Sequence, residues 1–201
     1  KKVRAGLDFF PLMVNFEEKL YAAGKIKGSR FIKREGRPTD EAILSGRLVD
    51  RSIRPLFDQS IRNDVQVILT ALSYDMENDP QIPALIAASV ALAISDIPWN
   101  GPIAGVRMGK VNGEWKMNPP VAEREAGLAD IIVAGTPDKL MMVEAAAKEI
   151  PDAEVVTAIK QGARELAPVM AFIEKIVSAV GRAKRDMHAE HKHTEDALAR
   201  V

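Results

Sequence analysis

The chain has 201 residues, 47% hydrophobic and 28% charged, with 28 basic and 28 acidic side chains that cancel. That is one globular domain of ordinary size, able to bury about 70% of its unfolded surface without a disulfide or metal staple, and too apolar and too neutral for a disordered chain. Cysteine is absent, which excludes a disulfide scaffold, thiolate metal sites, iron–sulfur ligation and a cysteine nucleophile. The longest apolar stretch, Ala84 to Ile94, has 11 residues, against about 20 needed to cross a bilayer. The N-terminus lacks the pattern of a secretory leader, and a start at Lys1 reads as a fragment whose true beginning lies upstream.

In chain order, Phe9 to Phe16 is an apolar run that predicts a strand interrupted by Pro11, and Tyr21 to Arg37 is punctuated as a loop by Gly24, Gly28 and Gly36. A helix is predicted from Thr39, a good N-cap followed by Asp40 and Glu41, and should stop before Pro55. Val65 to Tyr74 predicts a buried strand, and Pro83 to Ile94 a helix buried on most sides. Ile103 to Met117 carries Asn112-Gly113 between alternating segments, the strongest hairpin signal in the chain. Asp130 to Ala134 and Leu140 to Glu144 are predicted as two further short strands, with a turn at Thr136-Pro137-Asp138. Asp152 to Val180 is predicted as one long helix from its apolar stripe of Ile159, Ala163, Leu166, Met170, Ile173, Val177 and Val180, with Pro168 kinking or splitting it. Gly181 to Val201 reads as a linker or the start of a second element.

The zero net charge hides an uneven distribution. Lys25 to Arg54 holds nine basic and four acidic residues, whereas Pro120 to Lys160 holds four basic and eight acidic. A local basic block in a neutral chain points to an anionic partner met at one place, or else to a solvated surface. The block has two parts. Arg30, Lys33, Arg34 and Arg37 surround Phe31 in the loop, a pattern that suits single-stranded nucleic acid because cations meet phosphates and a ring stacks on any base. Another anion, or no ligand at all, also fits that loop. In the following helix Arg47, Arg51 and Arg54 fall at i, i+4 and i+7 on one face, with Asp50 able to offset part of their repulsion. Guanidinium forks suit phosphate, and salt bridges to distant carboxylates are the structural alternative.

Other constellations are weaker. His188, His191 and His193 lie in a polar tail without an acidic cage, and Asp75, Glu77 and Asp79 read as a solvated acidic turn that could at most hold magnesium. There is no Walker loop, dinucleotide fingerprint or nucleophile elbow.

The order of segments resembles the bacterial polynucleotide phosphorylase family. The matching pieces are DFFPLMVNFEEKLYAAGKI at 8–26, FIKREGRPTDEAILSGRLVDRSIRPLF at 31–57, VQVILTALS at 65–73, IPWNGPIAGVRMG at 97–109, DIIVAGT at 130–136 and LMMVEAAAKEI at 140–150. The resemblance implies an α+β, ribonuclease-PH-like core with a mixed β-sheet packed by helices. Residues 1–180 would be the first of two such cores, without its opening strands, and 181–201 the approach to an all-helical segment. It implies a phosphate-dependent 3′-to-5′ exoribonuclease that releases nucleoside diphosphates and runs in reverse as a polymerase, a cytoplasmic homotrimeric ring acting on single-stranded RNA, with no membrane partner. Magnesium and the phosphate site would belong mainly to the second core, so no catalytic residue is expected in this chain. Phe31, Lys33, Arg34 and Arg37 match the family's channel loop, and Arg47, Arg51 and Arg54 match helix arginines near the RNA path. The loop departs from the family in having Ile32 where a second aromatic is usual, an extra Arg30, and Lys27 in place of proline; Ser52 and Asp58 also replace prolines. A non-catalytic, RNA-guiding ring subunit of an exosome-like assembly and a purely structural assembly domain are the alternatives.

Overall fold

Pro11 decides where the first strand can begin, because it has no N–H to give a ladder. In the computed structural model, which describes residues 7–25, 37–136 and 138–187, strand β1 runs Leu12–Glu18, directly after that proline. The Pro11 carbonyl still accepts from Val65 N (3.0 Å) and so opens the pairing with β2, Val65–Ala71. The pair is parallel, from Leu12 opposite Val65 to Glu18 opposite Ala71. Parallel strands need a crossover, and here it includes helix α1, Asp40–Ile53. Its start is as the sequence predicts: Thr39 Oγ1 accepts from Ala42 N (3.0 Å), and Asp40 and Glu41 occupy the first turn.

After β2 comes helix α2, Gln81–Ile94, which begins two residues before the expected Pro83. The second half is an antiparallel sheet of β3 (Ala104–Val111), β4 (Glu114–Met117), β5 (Ala129–Gly135) and β6 (Leu140–Ala147), in the order β4-β3-β5-β6. The hairpin between β3 and β4 turns at Asn112 and Gly113, both at positive φ (51° and 85°), as the Asn-Gly signal requires. A short helix α3, Val121–Ala126, follows Pro119-Pro120 and was not foreseen, because six residues carry too little periodicity to read. The expected α+β architecture holds. Parallel and antiparallel pairings are divided between two sheets rather than mixed within one.

Helix α4, Asp152–Val180, has the predicted bounds but does not split at Pro168. Pro168 lies on the solvent side, where the carbonyl it deprives of a partner can be hydrated, while Leu166, Met170 and Ile173 stay buried on the other side. Residues 181–187 are neither helix nor strand, and no helix among the described residues is long and apolar enough to cross a membrane.

Two hydrophobic clusters result. Ala104, Val106, Met108, Ile131 and Val133 pack under Ala158, Leu166 and Met170 of α4. On the opposite face of the sheet, Ile132, Ala134 and Met142 join the larger core built by β1, β2, α1 and α2. The connection between the halves is pinned: Trp99 Nε1 donates to Ile53 O (3.1 Å), and the buried Ser89 hydroxyl accepts from Ile103 N (2.9 Å). Leu85 of α2 is fully buried in the larger core. Leu85→Ala is expected to cost about 2–5 kcal/mol through lost burial and the cavity it leaves, measured by denaturant unfolding of the polypeptide that carries it.

Candidate nucleic-acid interface

The helix arginines share a face but not a fate. Arg54 closes α1 and is half-buried. Its Nε and Nη2 fork onto Asp50 (3.0 and 2.6 Å), and its remaining donors reach the carbonyls of Leu12 (3.1 Å) and Phe10 (3.4 Å). It staples the end of α1 to the start of β1. Arg51 reaches Glu144 of β6 at 3.5 Å, with both side chains more than half exposed. Such a pair is worth little in water and can be exchanged for another anion. Arg47 is exposed and has no side-chain partner among the described residues, and the same is true of Arg37 before the helix. Phe31, Lys33 and Arg34 lie outside the described residues.

Arg47 lines a groove of about 470 Å³ between α1 and the strand from Leu12 to Glu17, as does Pro38. The helix lies close to that strand at Gly46, where even an added Cβ would be in van der Waals contact with Val14 O (3.4 Å) and Phe16 N (3.5 Å).

A larger cleft of about 930 Å³ separates the 3-10 turn at Leu20–Ala23 and α1 from α3, β5 and β6. Its floor is a charge network that sequence reasoning missed. Arg107, only 4% exposed, sits on the α2 face of β3. It donates to Asp130 Oδ2 on β5 (2.6 Å) and to Gln81 Oε1 at the start of α2 (2.5 Å), and lies 3.3 Å from Asp79 Oδ2. Arg124 of α3 pairs with Asp79 and approaches Asp130 at 3.7 Å. Gln81 Nε2 in turn donates to Ser45 Oγ of α1 (2.9 Å). Burial holds the Asp130 carboxyl above the ordinary carboxylate range, although both guanidiniums pull the other way. Arg107 Nε and Asp130 Oδ1 have no protein partner among the described residues.

The acidic turn is correspondingly divided. Asp79 is built into this network rather than solvated. Asp75 accepts from Glu77 N (2.9 Å), Asn78 N (2.8 Å) and Asn78 Nδ2 (2.6 Å). No group of three acids or histidines among the described residues could hold a metal ion. The histidines of the tail lie outside the described residues. One signal in the sequence did point to the network: Arg107 is a cation flanked by Val106 and Met108 in the apolar part of a strand, and a charge buried there must find partners.

The comparisons with known proteins fit this architecture. Sequence models of the 3′ exoribonuclease family match in succession, domain 1 over residues 1–98 and domain 2 over residues 101–165. The chain belongs to the 3′ exoribonuclease family. Among curated relatives, it is 51% identical over 187 residues to the polyribonucleotide nucleotidyltransferase of Heliobacterium modesticaldum, covering 93% of this chain and 26% of that protein. It is 50% identical over 195 residues to the corresponding protein of Streptococcus gordonii, covering 97% of this chain and 26% of the relative. The chain therefore spans about a quarter of the length of these family members. Among solved structures, rice (Oryza sativa) Rrp46 superposes with a TM-score of 0.68 over 87% of this chain and 78% of that one, at 12% identity, a likeness of fold alone. The two family models meet at the segment where Trp99 and Asn100 bind back to Ile53 and Leu56.

Two outcomes follow from the charges. Arg107→Met leaves Asp79 and Asp130 sharing one guanidinium in a largely dry site, so it should cost about 3–5 kcal/mol; Arg51→Ala should stay within about 0.5 kcal/mol of the parent, both read from denaturant midpoints. Hydrogen bonds, first from Asn78 N, hold Asp75 down to about 2 from 3.8. A carboxyl depressed in the fold stabilises it above the unfolded value, and that contribution is lost as pH falls from 3.8 through about 2. NMR titration of the Asp75 carboxyl should give a midpoint near 2, and Asn78→Ala should move it up towards the unfolded value.

Proposed function

We propose that this chain is the RNA-guiding first core of a phosphorolytic 3′-to-5′ exoribonuclease, with residues 1–180 forming that core and 181–201 leading towards an all-helical segment. The carrying observation is the contrast between two sets of arginines. Arg107 and Arg124 are neutralised inside the cleft by Asp79 and Asp130, whereas Arg37 and Arg47 stand exposed with no partner among the described residues. Cations already satisfied by internal carboxylates are poorly placed to hold inorganic phosphate. Free cations at the surface can meet a phosphodiester backbone at low cost.

The roles then divide. Arg37 and Arg47, together with Lys33 and Arg34 of the loop, contact RNA phosphates, and Phe31 stacks on a base. Arg51 joins by exchanging Glu144 for phosphate. Arg54 positions α1 and keeps its own donors at home. The attack of a phosphate oxygen on the terminal phosphodiester, with departure of the 3′ oxygen and release of a nucleoside diphosphate, belongs to groups outside this chain. The described residues do not fit a magnesium site, because Asp79 and Asp130 face guanidiniums and Asp75 faces its own turn. A homotrimeric ring in the cytoplasm completes this reading, on the strength of the family resemblance. The fold likeness to Rrp46 does not favour the non-catalytic alternative, since relatives at 50% identity carry the nucleotidyltransferase name.

In the complete polypeptide, Arg37→Ala combined with Arg47→Ala should weaken single-stranded RNA binding most at low salt. The slope of log affinity against log salt should become shallower by about 1.4, two phosphate contacts at about 0.7 each. An unchanged slope and affinity would refute the RNA-guiding assignment. Failure of the complete polypeptide to release nucleoside diphosphates in a phosphate-dependent way would refute the enzyme assignment and leave the guiding role standing.

A further inference from the structure

Helix α2 ends without the means to satisfy its own terminus. Its last turn has no basic residue, and Ser95, which follows it, is extended (φ −74°, ψ 170°) rather than left-handed. Ser95 supplies two partners: its N–H donates to Ala91 O (3.2 Å) and its hydroxyl to Leu92 O (2.8 Å). The other partners come from the segment after α4, about ninety residues later. Lys184 Nζ donates to Leu92 O (2.8 Å), Ala93 O (2.9 Å) and Ser95 O (2.7 Å). Three acceptors use all three protons of an ammonium. A cation at that position also meets the negative end of the helix dipole.

Lys184 does not act alone, but it sits at the centre of the contact. On one side Arg182 N donates to Ile94 O (3.1 Å), and on the other Arg185 N donates to Asp96 O (2.8 Å), with the Arg185 guanidinium paired to the Asp96 carboxylate. Met187 packs on the larger core. Burial among the carbonyls pushes the Lys184 amine below its ordinary range, and Asp96 opposes this.

We propose that Lys184 is a charge-operated latch, whose ammonium caps the C-terminus of α2 and so fixes the path by which the chain leaves α4. Without it, the segment near Gly181 keeps two flanking backbone hydrogen bonds and an exposed ion pair, with Met187 packed further along, to oppose its own conformational entropy. With it, the chain leaves from the end of α2 rather than swinging freely from Gly181. The proposal is independent of the RNA reading, since none of these groups belongs to the basic loop or to α1.

The test is amide hydrogen exchange in the complete polypeptide, comparing the parent with Lys184→Met, which keeps an unbranched side chain one atom shorter and removes the ammonium and its charge, and with Lys184→Arg. In Lys184→Met the Arg182 and Arg185 amides should exchange about five- to tenfold faster, while those of Val106 and Ile132 in the antiparallel sheet stay as they were. Lys184→Arg should remain close to the parent. Unchanged Arg182 and Arg185 amides in Lys184→Met would overturn the latch. So would an acceleration spread equally through the sheet, which would make Lys184 a contributor to overall stability only. If Lys184→Arg loosens the segment as much as Lys184→Met does, the charge-based mechanism fails.

Discussion

A guanidinium that is almost wholly out of water constrains everything around it. Arg107 cannot be left unpaired there, because an uncompensated buried charge costs more than most single contacts in a domain return. Its neighbours come from four separate elements: Asp79 from the turn before α2, Gln81 from the first turn of α2, Asp130 from β5, and Arg124 from α3 through the shared carboxylates. Gln81 extends the link to α1 at Ser45. The hydrophobic clusters on either side of the sheet are non-directional and would tolerate small slides. The network is not tolerant in this way, and it fixes the register between the parallel pair with its helices and the antiparallel sheet.

The same physics separates arginines that build from arginines that can bind. Arg54 and Arg107 are enclosed by carboxylates and carbonyls that the fold delivers to them. Arg37 and Arg47 receive nothing from the described residues, and their charge is directed outward. Arg51 is intermediate, since its partner Glu144 is as exposed as it is. A helix face with three arginines in register is thus graded from fixed to free along its length. The free end is the N-terminal one, at Arg47.

What the sequence made legible was local. The Thr39 cap, the Asn112-Gly113 turn and the apolar stripe of α4 each announce themselves within a few residues, and those elements fall where they were expected. The survival of α4 across Pro168 was not legible, because it depends on packing on the far side of the helix rather than on propensity. The charge network was legible at Arg107 alone, and its partners were not. Asp79 and Asp130 look like ordinary surface acids until the fold brings them to Arg107, and nothing at position 79 or 130 announces a partner so far away. For Arg54 the reading was half right: Asp50 is visible four residues before it, but the carbonyls of Phe10 and Leu12 are not. Much of the basic loop lies outside the described residues, so the proposed RNA contacts that can be placed on the fold are Arg37 and Arg47.

The parallel pairing of β1 with β2 has a consequence for how the domain is made. Leu12 finds Val65 only after the whole of α1 and its flanking loops have been synthesised, whereas the β3–β4 and β5–β6 pairs join neighbours in sequence. The first half of the molecule therefore has the higher contact order and the larger loop-closure cost, and the second half can zip from its turns. During synthesis on the ribosome β1 emerges before β2, so the pairing that covers this edge of Val14 and Phe16 must wait until β2 arrives. The two glutamates that end it, Glu17 and Glu18, put charge on that waiting strand and act as gatekeepers against its pairing with the wrong partner.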